Sequence, residues 1–365
     1  MKKLFLLLLS FTSVLQAQNI DFTKSNFPND REGLEIAKDN LDKGDDLFGK
    51  GSVYYKQALE PYLAANNFNP NNAYLNYKIG RCYLFSSTKQ KAISFLEKAK
   101  ELNPQIESQL SYFLGCAYQL DMQFEKAIPM FKKFSETAGS TTEGKELAEE
   151  ARLHLAECKT GIALKEKPIR VFIDNAGPEV NSKYSDYGPV ISADESVMLF
   201  TSRREGTTGG AIDPGINEYM EDIYISTKLN GKWTKATNLG TPVNTPDHDA
   251  NSGLSADGQK FLIYNSSGRG DLYEANLVGD KWDEPKSLGK NINSNAHESS
   301  ACYSPDGKSI YFVSDNPETS LGDRDIYIST KDENGKWAKA VNLGPTINTP
   351  YGEEGVFIHP DGKTM

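Results

Sequence analysis

The chain has 365 residues, and its 40 lysines and arginines against 50 aspartates and glutamates give a formal net charge of −10. That length suits two domains of ordinary size, and a hydrophobic fraction of 38% excludes both a fibrous and a disordered chain. An acidic protein has no electrostatic reason to hold a phosphate backbone, so nucleic acid is not expected as a partner.

The first segment begins with the basic triplet MKK, runs through the apolar stretch LFLLLLSFTSVL, and reaches a small residue, Ala17. This is the pattern of a secretory signal peptide over residues 1–18, too short for a stop-transfer helix. No cysteine stands at the cleavage region, so a bacterial lipid anchor is not supported, and no later stretch is apolar enough to span a bilayer. Export permits disulfides. Yet Cys82, Cys116, Cys158 and Cys302 are irregularly spaced without a CxxC, which argues against a redox or zinc site. Buried free thiols are the expectation, with one disulfide as the alternative.

Residues 19–167 show a helical repeat. Gly80, Tyr83, Ala92 and Leu96 recur 35 residues later as Gly115, Tyr118, Ala127 and Phe131, and Ala99 and Pro104 complete the better copy. A weaker copy precedes them in Ala58, Tyr62, Ala65 and Pro70. Small residues let paired helices approach, large ones fill the space between units, and proline stops the second helix. The pattern resembles a tetratricopeptide repeat over about residues 35–139. The segment KELAEEARLHLAECKTGIALKEKP places Leu147, Ala151 and Leu155 on one face and predicts a long terminal helix ending before Pro168. On the first helix of the best unit Tyr74, Tyr77 and Arg81 share a face, and Tyr112 follows one repeat later. The resemblance implies that this face lines a concave groove, where these four residues would contact a peptide. The other reading is that the tyrosines pack against the neighbouring repeat or the next domain.

Residues 168–365 repeat a different unit. Asp257-Gly258, Asp306-Gly307 and Asp361-Gly362, with a weaker copy at Asp194-Glu195, are in phase with the strands EDIYIST, GDLYEAN and RDIYIST. They are also in phase with Trp233, Trp282 and Trp337 and with Asn244, Asn293 and Asn348. Each copy fits four antiparallel strands, the last two joined at an Asn-Gly or Gly-Asp turn. The repeats resemble the blades of a TolB-type β-propeller, whose hallmark SPDG stands at 304–307. Three blades are expected at 186–248, 249–297 and 298–352, with a fourth beginning at Glu353, so the chain resembles a C-terminally truncated protein. The segment RVFIDNAGPEVN resembles a fourth strand that would pair with the last blade and close the ring. An acid stands eight residues before each turn: Asp186, Asp249, Glu298 and Glu353. These four would either form a ring that binds a cation or a basic peptide, or accept hydrogen bonds that tie blades together. His248 and His297 have no counterpart at Gly352, so a metal ring is not expected.

No Gly-x-Ser-x-Gly elbow, His-Glu-x-x-His or Walker loop occurs, and the chain is expected to be non-enzymatic and without a cofactor. The order of signal peptide, tetratricopeptide repeats and propeller resembles a set of Bacteroidota envelope proteins of the OmpA family. Some of these are accessory parts of the type IX secretion machinery. The resemblance implies a periplasmic or outer-membrane-associated scaffold for envelope proteins, with peptidoglycan bound only by an OmpA-like domain beyond Met365. A propeller for a small ligand or glycan, or the non-catalytic part of an exported peptidase, are the alternatives.

Overall fold

The computed structural model describes residues 18–139, 141–213, 216, 218–266, 269–359 and 361–365, so the signal-peptide assignment falls almost wholly outside the described residues. The chain divides after Phe172 into two compact units. The first is helical and tetratricopeptide-like. The second holds antiparallel, propeller-like sheets.

Helices α1 (Arg31–Phe48) and α2 (Tyr55–Phe68), α3 (Ala73–Leu84) and α4 (Ala92–Leu102), and α5 (Leu110–Leu120) and α6 (Phe124–Thr137) form three hairpins, and α7 (Thr142–Lys165) packs on α6. Side chains start several of them: Asp30 accepts from Gly33 N–H, Asn72 from Leu75 N–H and Thr141 from Gly144 N–H, satisfying donors that a first helical turn leaves unpaired. Each hairpin closes on a glycine. A Cβ added at Gly44, Gly80 or Gly115 would stand 2.3, 2.5 or 2.8 Å from Tyr62, Leu96 or Phe131 respectively. All three large side chains are fully buried. The glycine of the first hairpin lies 36 rather than 35 residues before Gly80, which hides it from the repeat register. One apolar core runs through all three hairpins and includes Ala151 and Cys158 of α7.

In the second unit three sheets follow one plan. The inner strands are Asp186–Ile191, Asp249–Leu254 and Glu298–Tyr303. They pair with Val197–Ser202, Lys260–Asn265 and Ser309–Ser314, and these with Asp222–Leu229, Asp271–Val278 and Asp325–Thr330. The expected fourth strand is broken. The tryptophan segment returns along the far end of the third strand, and only Thr237–Asn238, Lys286–Ser287 and Val341–Asn342 continue the sheet. The first sheet also carries a small hairpin, Ile212–Asp213 with Glu218–Tyr219, which accounts for its longer repeat.

The turn after each inner strand has a mechanical basis. The hydroxyls of Ser192, Ser255 and Ser304 donate to Asp194, Asp257 and Asp306, each at 2.6 Å. The same serine oxygens accept from the N–H five residues on. The turn then passes through the left-handed region at Glu195, Gly258 and Gly307, where glycine is favoured.

Two expectations are corrected. RVFIDNAGPEVN forms no strand; its last residues make a loop of the kind that precedes each inner strand, in which Asn181 donates to Asn175 at 2.8 Å as Asn244 does to Asn238, and the Glu179 C=O accepts from Ala236 N–H of the first sheet at 2.8 Å. The segment from Glu353 is not a strand either, although Glu353 N–H donates to Arg324 C=O at 2.8 Å and Val356 packs against Cys302, Val313 and Ile326.

The glycine seats set a sign. Gly→Ala in a helix ordinarily stabilises by about 1 kcal/mol, whereas overpacking costs roughly 1–3 kcal/mol. Gly80→Ala and Gly115→Ala are expected to lower stability by about 1–2 kcal/mol in urea unfolding followed by circular dichroism. Gly139→Ala, whose Cβ meets nothing within 4 Å, should change it by less than about 0.5 kcal/mol.

Candidate functional sites

The helical unit splits the four expected groove residues. Tyr77 and Tyr112 are 2% and 6% exposed, so neither is offered to a ligand, which corrects the expectation for both. Tyr112 packs against Phe113, Phe131, Phe134 and His154 and donates to Glu150 of α7 at 2.5 Å. Helix α7 lies along this whole stripe, since Gln109 also donates to Glu143 and Gln119 to Glu157. Aromatic periodicity alone could not tell this packed stripe from an open one.

Tyr74 and Arg81 remain accessible. Tyr74 is 41% exposed and stacks on Tyr77. It also lies 4.1 Å from Nζ of Lys78, whose charge is met by Asp45 at 2.6 Å. Arg81 is different. Its guanidinium carbon lies 4.4 Å from the ring centre of Phe113, 5.2 Å from Phe48, 5.7 Å from Tyr77 and 5.8 Å from Tyr55. Its nearest polar partners are the hydroxyls of Tyr55, at 3.2 Å, and Tyr77. Among the described residues no carboxylate forms an ion pair with it, and its Nε is buried without a hydrogen-bond partner. Four rings hold the cation by its faces and leave its edge without a counter-charge. Burial raises the Tyr55 hydroxyl above its ordinary range, with Arg81 opposing. Phe48 and Phe113 carried no sequence signal beyond being aromatic.

The acid positions of the second unit lie in the junctions between sheets. Each accepts from the residue four before it: Asp186 from the N–H and hydroxyl of Ser182, Asp249 from Thr245, Glu298 from Ser294 and Glu353 from Thr349. The second strand adds Ser202 to Asp186, Asn265 to Asp249 and Ser314 to Glu298. Asp249 and Glu298 are 1% and 0% exposed. The geometry is that of ties within the chain, and no cluster of metal-ligating side chains occurs among the described residues. The repeated asparagines have a parallel role. Asn244, Asn293 and Asn348 each accept from the N–H, and donate to the C=O, of one third-strand residue: Ile223, Leu272 and Ile326. One side-chain amide there replaces the backbone pairing that a strand neighbour would give.

Among the described residues, Arg204 is the cation that pairs with one of these junction acids. Arg204 donates to Asp186 at 2.6 Å, to Ser202 at 2.7 Å and to the Val180 carbonyl at 2.7 Å. It lies over Tyr224 and Phe200, 4.7 and 5.2 Å from their ring centres. Burial by itself would raise Asp186. The bonds from Ser202, Arg204 and Ser182 more than offset it and hold the carboxyl below its ordinary range. Among the described residues no such cation pairs with Asp249 or Glu298, and burial holds both above it. Arg204 escaped the sequence reading because it occurs once and has no periodic copy.

No family model matches the chain, and no curated protein matches it. Solved structures similar to one unit or the other include a T3SS complex from Aeromonas hydrophila, at 18% identity over 36% of this chain and 85% of that one, with a TM-score of 0.31. The first TPR domain of human RPAP3 matches at 20% identity over 34% of this chain and 96% of that one, with a TM-score of 0.29. A protein described as a TolB from Agrobacterium tumefaciens matches at 18% identity over 49% of this chain and 68% of that one, with a TM-score of 0.30.

Removing the cation from the first junction should expose the pH linkage. Asp186, with its lowered pKa, stabilises the fold above the unfolded carboxylate range and loses that contribution as the pH falls through its folded value. Arg204→Met leaves burial unopposed by the guanidinium, and is expected to cost about 3 kcal/mol near pH 7. The deficit should narrow below about pH 4, where the stranded carboxylate takes a proton. Urea unfolding at the two pH values checks both the size and the sign.

Proposed function

We propose that this chain is a non-enzymatic interaction scaffold of the cell envelope, working in the periplasm, whose helical unit receives a carboxylate-bearing segment of a protein partner at Arg81. The single observation that carries the binding role is the guanidinium caged by Phe48, Tyr55, Tyr77 and Phe113 with no acid among the described residues paired to it. A carboxylate that competes with the two tyrosine hydroxyls for the guanidinium meets a cation that is already ordered and partly desolvated, so little side-chain entropy is lost on binding. Accessible Tyr74 and Phe85, beside the same helix, supply apolar area around that contact. Export is supported by the basic start, apolar run and small residue at the N-terminus. No helix among the described residues is long and apolar enough to cross a membrane. A place beside the type IX secretion machinery belongs to the same proposal and rests on domain order alone.

The test is a titration of the full chain with a short acidic peptide and with its Gln/Asn counterpart. The parent is expected to prefer the acidic peptide, and Arg81→Gln to weaken it about tenfold or more, the worth of one charge-assisted hydrogen bond. Tyr112→Phe should leave binding unchanged. Equal binding of both peptides, or an unaffected Arg81→Gln, would sink the assignment.

A further inference from the structure

The three sheet junctions are built from the same parts, so each is an internal control for the others. Positions equivalent to Val180, Asp186, Phe200, Ser202 and Tyr224 in the first junction are Val243, Asp249, Ile263, Asn265 and Tyr273 in the second. In the first, those residues surround the guanidinium of Arg204. In the second, the same five positions line a cavity of about 210 Å³. In the sequence Arg204 stands eighteen residues after its inner-strand acid; the same count from Asp249 and Glu298 falls on Ser267 and Asn316, neither a cation. The third junction is closed differently, since the hydroxyls of Thr319 and Ser320 engage that of Tyr327, the counterpart of Tyr224.

We infer that the second junction is a binding site for a guanidinium group, an arginine side chain presented by a protein partner, seated between Asp249 and Tyr273 as Arg204 is seated between Asp186 and Tyr224. Four observations converge. Asp249 is 1% exposed and keeps its ties to Thr245 and Asn265, so relative to Asp186 it lacks one thing, the bond from a cation. Among the described residues no lysine or arginine is paired with it. The Tyr273 ring and the aliphatic wall of Ile263 replace the two faces over which Arg204 lies. At the rim, two residues after the conserved-spacing tryptophan, the first and third sheets carry Lys235 and Lys339, whereas the second carries Glu284, which lines the cavity. The volume falls below the roughly 300 Å³ at which pockets begin to take drug-sized ligands and suits one side-chain head. Burial, reinforced by Asp222, disfavours the Asp249 carboxylate, and an arriving cation would relieve that cost as Arg204 does for Asp186. The site goes beyond the role assigned to the helical unit and stands without it.

The experiment is calorimetric titration of the full chain with N-acetyl-arginine amide, which mimics an arginine within a chain, alongside its neutral isostere N-acetyl-citrulline amide and free L-arginine. Binding of the arginine amide at about 1 mM or tighter is expected, with the citrulline amide at least about tenfold weaker for want of the charge. Glu284→Lys restores the residue that the other sheets carry. Glu284 is exposed, so the fold is not at risk, and the variant should weaken binding about tenfold by placing a like charge at the rim. Asp249→Asn should abolish binding; should that variant unfold, Glu284→Lys and Tyr273→Leu carry the test. The inference is overturned by no heat at about 10 mM arginine amide, by equal binding of the citrulline amide, or by an unaffected Glu284→Lys. Tighter binding of free L-arginine would overturn the protein partner in favour of a small molecule.

Discussion

A carboxylate taken out of water must be met by donors or it will not remain a carboxylate. The second unit depends on meeting that demand at each junction. Asp186, Asp249 and Glu298 begin inner strands, yet their partners come from the chain four residues earlier and from the neighbouring strand. One side chain thereby fixes the crossing from one sheet to the next, the register of the first two strands and the course of the connecting loop. The asparagines just before those loops do the same for the third strand. The apolar clusters are small and separate, one around Leu199 and Phe261, another around Leu262 and Phe312. These polar ties are what make the clusters successive layers rather than three loose hairpins.

The helical unit solves the same problem of joining repeats by shape. A missing Cβ at Gly44, Gly80 and Gly115 admits Tyr62, Leu96 and Phe131, and close approach then buries a continuous core. The two units tolerate change differently. Deleting a donor in a junction strands a charge, whereas adding one carbon to a glycine seat forces packed side chains to move.

Much of this architecture was legible because repetition multiplies weak signals. One Asp-Gly pair says little, but four turns in phase with tryptophans and asparagines define a unit. The same reliance on period explains what was missed. Gly44 is displaced by a single residue, and Arg204 occurs once. The broken fourth strand was hidden because tryptophan and Asn-Leu-Gly segments read as one extended run. Tyr77 and Tyr112 read alike because a helix stripe has the same spacing whether it faces a groove or another helix; Phe113 of α5 packs on Tyr77, and α7 covers Tyr112. The acids recur in phase in the sequence, but the bonds that bury them come from partners four residues earlier and on the next strand, which spacing does not reveal.

All four cysteines are free thiols, three of them buried. Burial pushes Cys82 and Cys116 up to about 12 and Cys302 to about 11, and raises Cys158 as well. At neutral pH almost none of this sulfur is thiolate, the only form that attacks a disulfide or an oxidant. These thiols are therefore poor nucleophiles where they stand, and an oxidant should modify them slowly in the folded chain. No disulfide joins these four cysteines, so reductant should neither loosen nor tighten either unit.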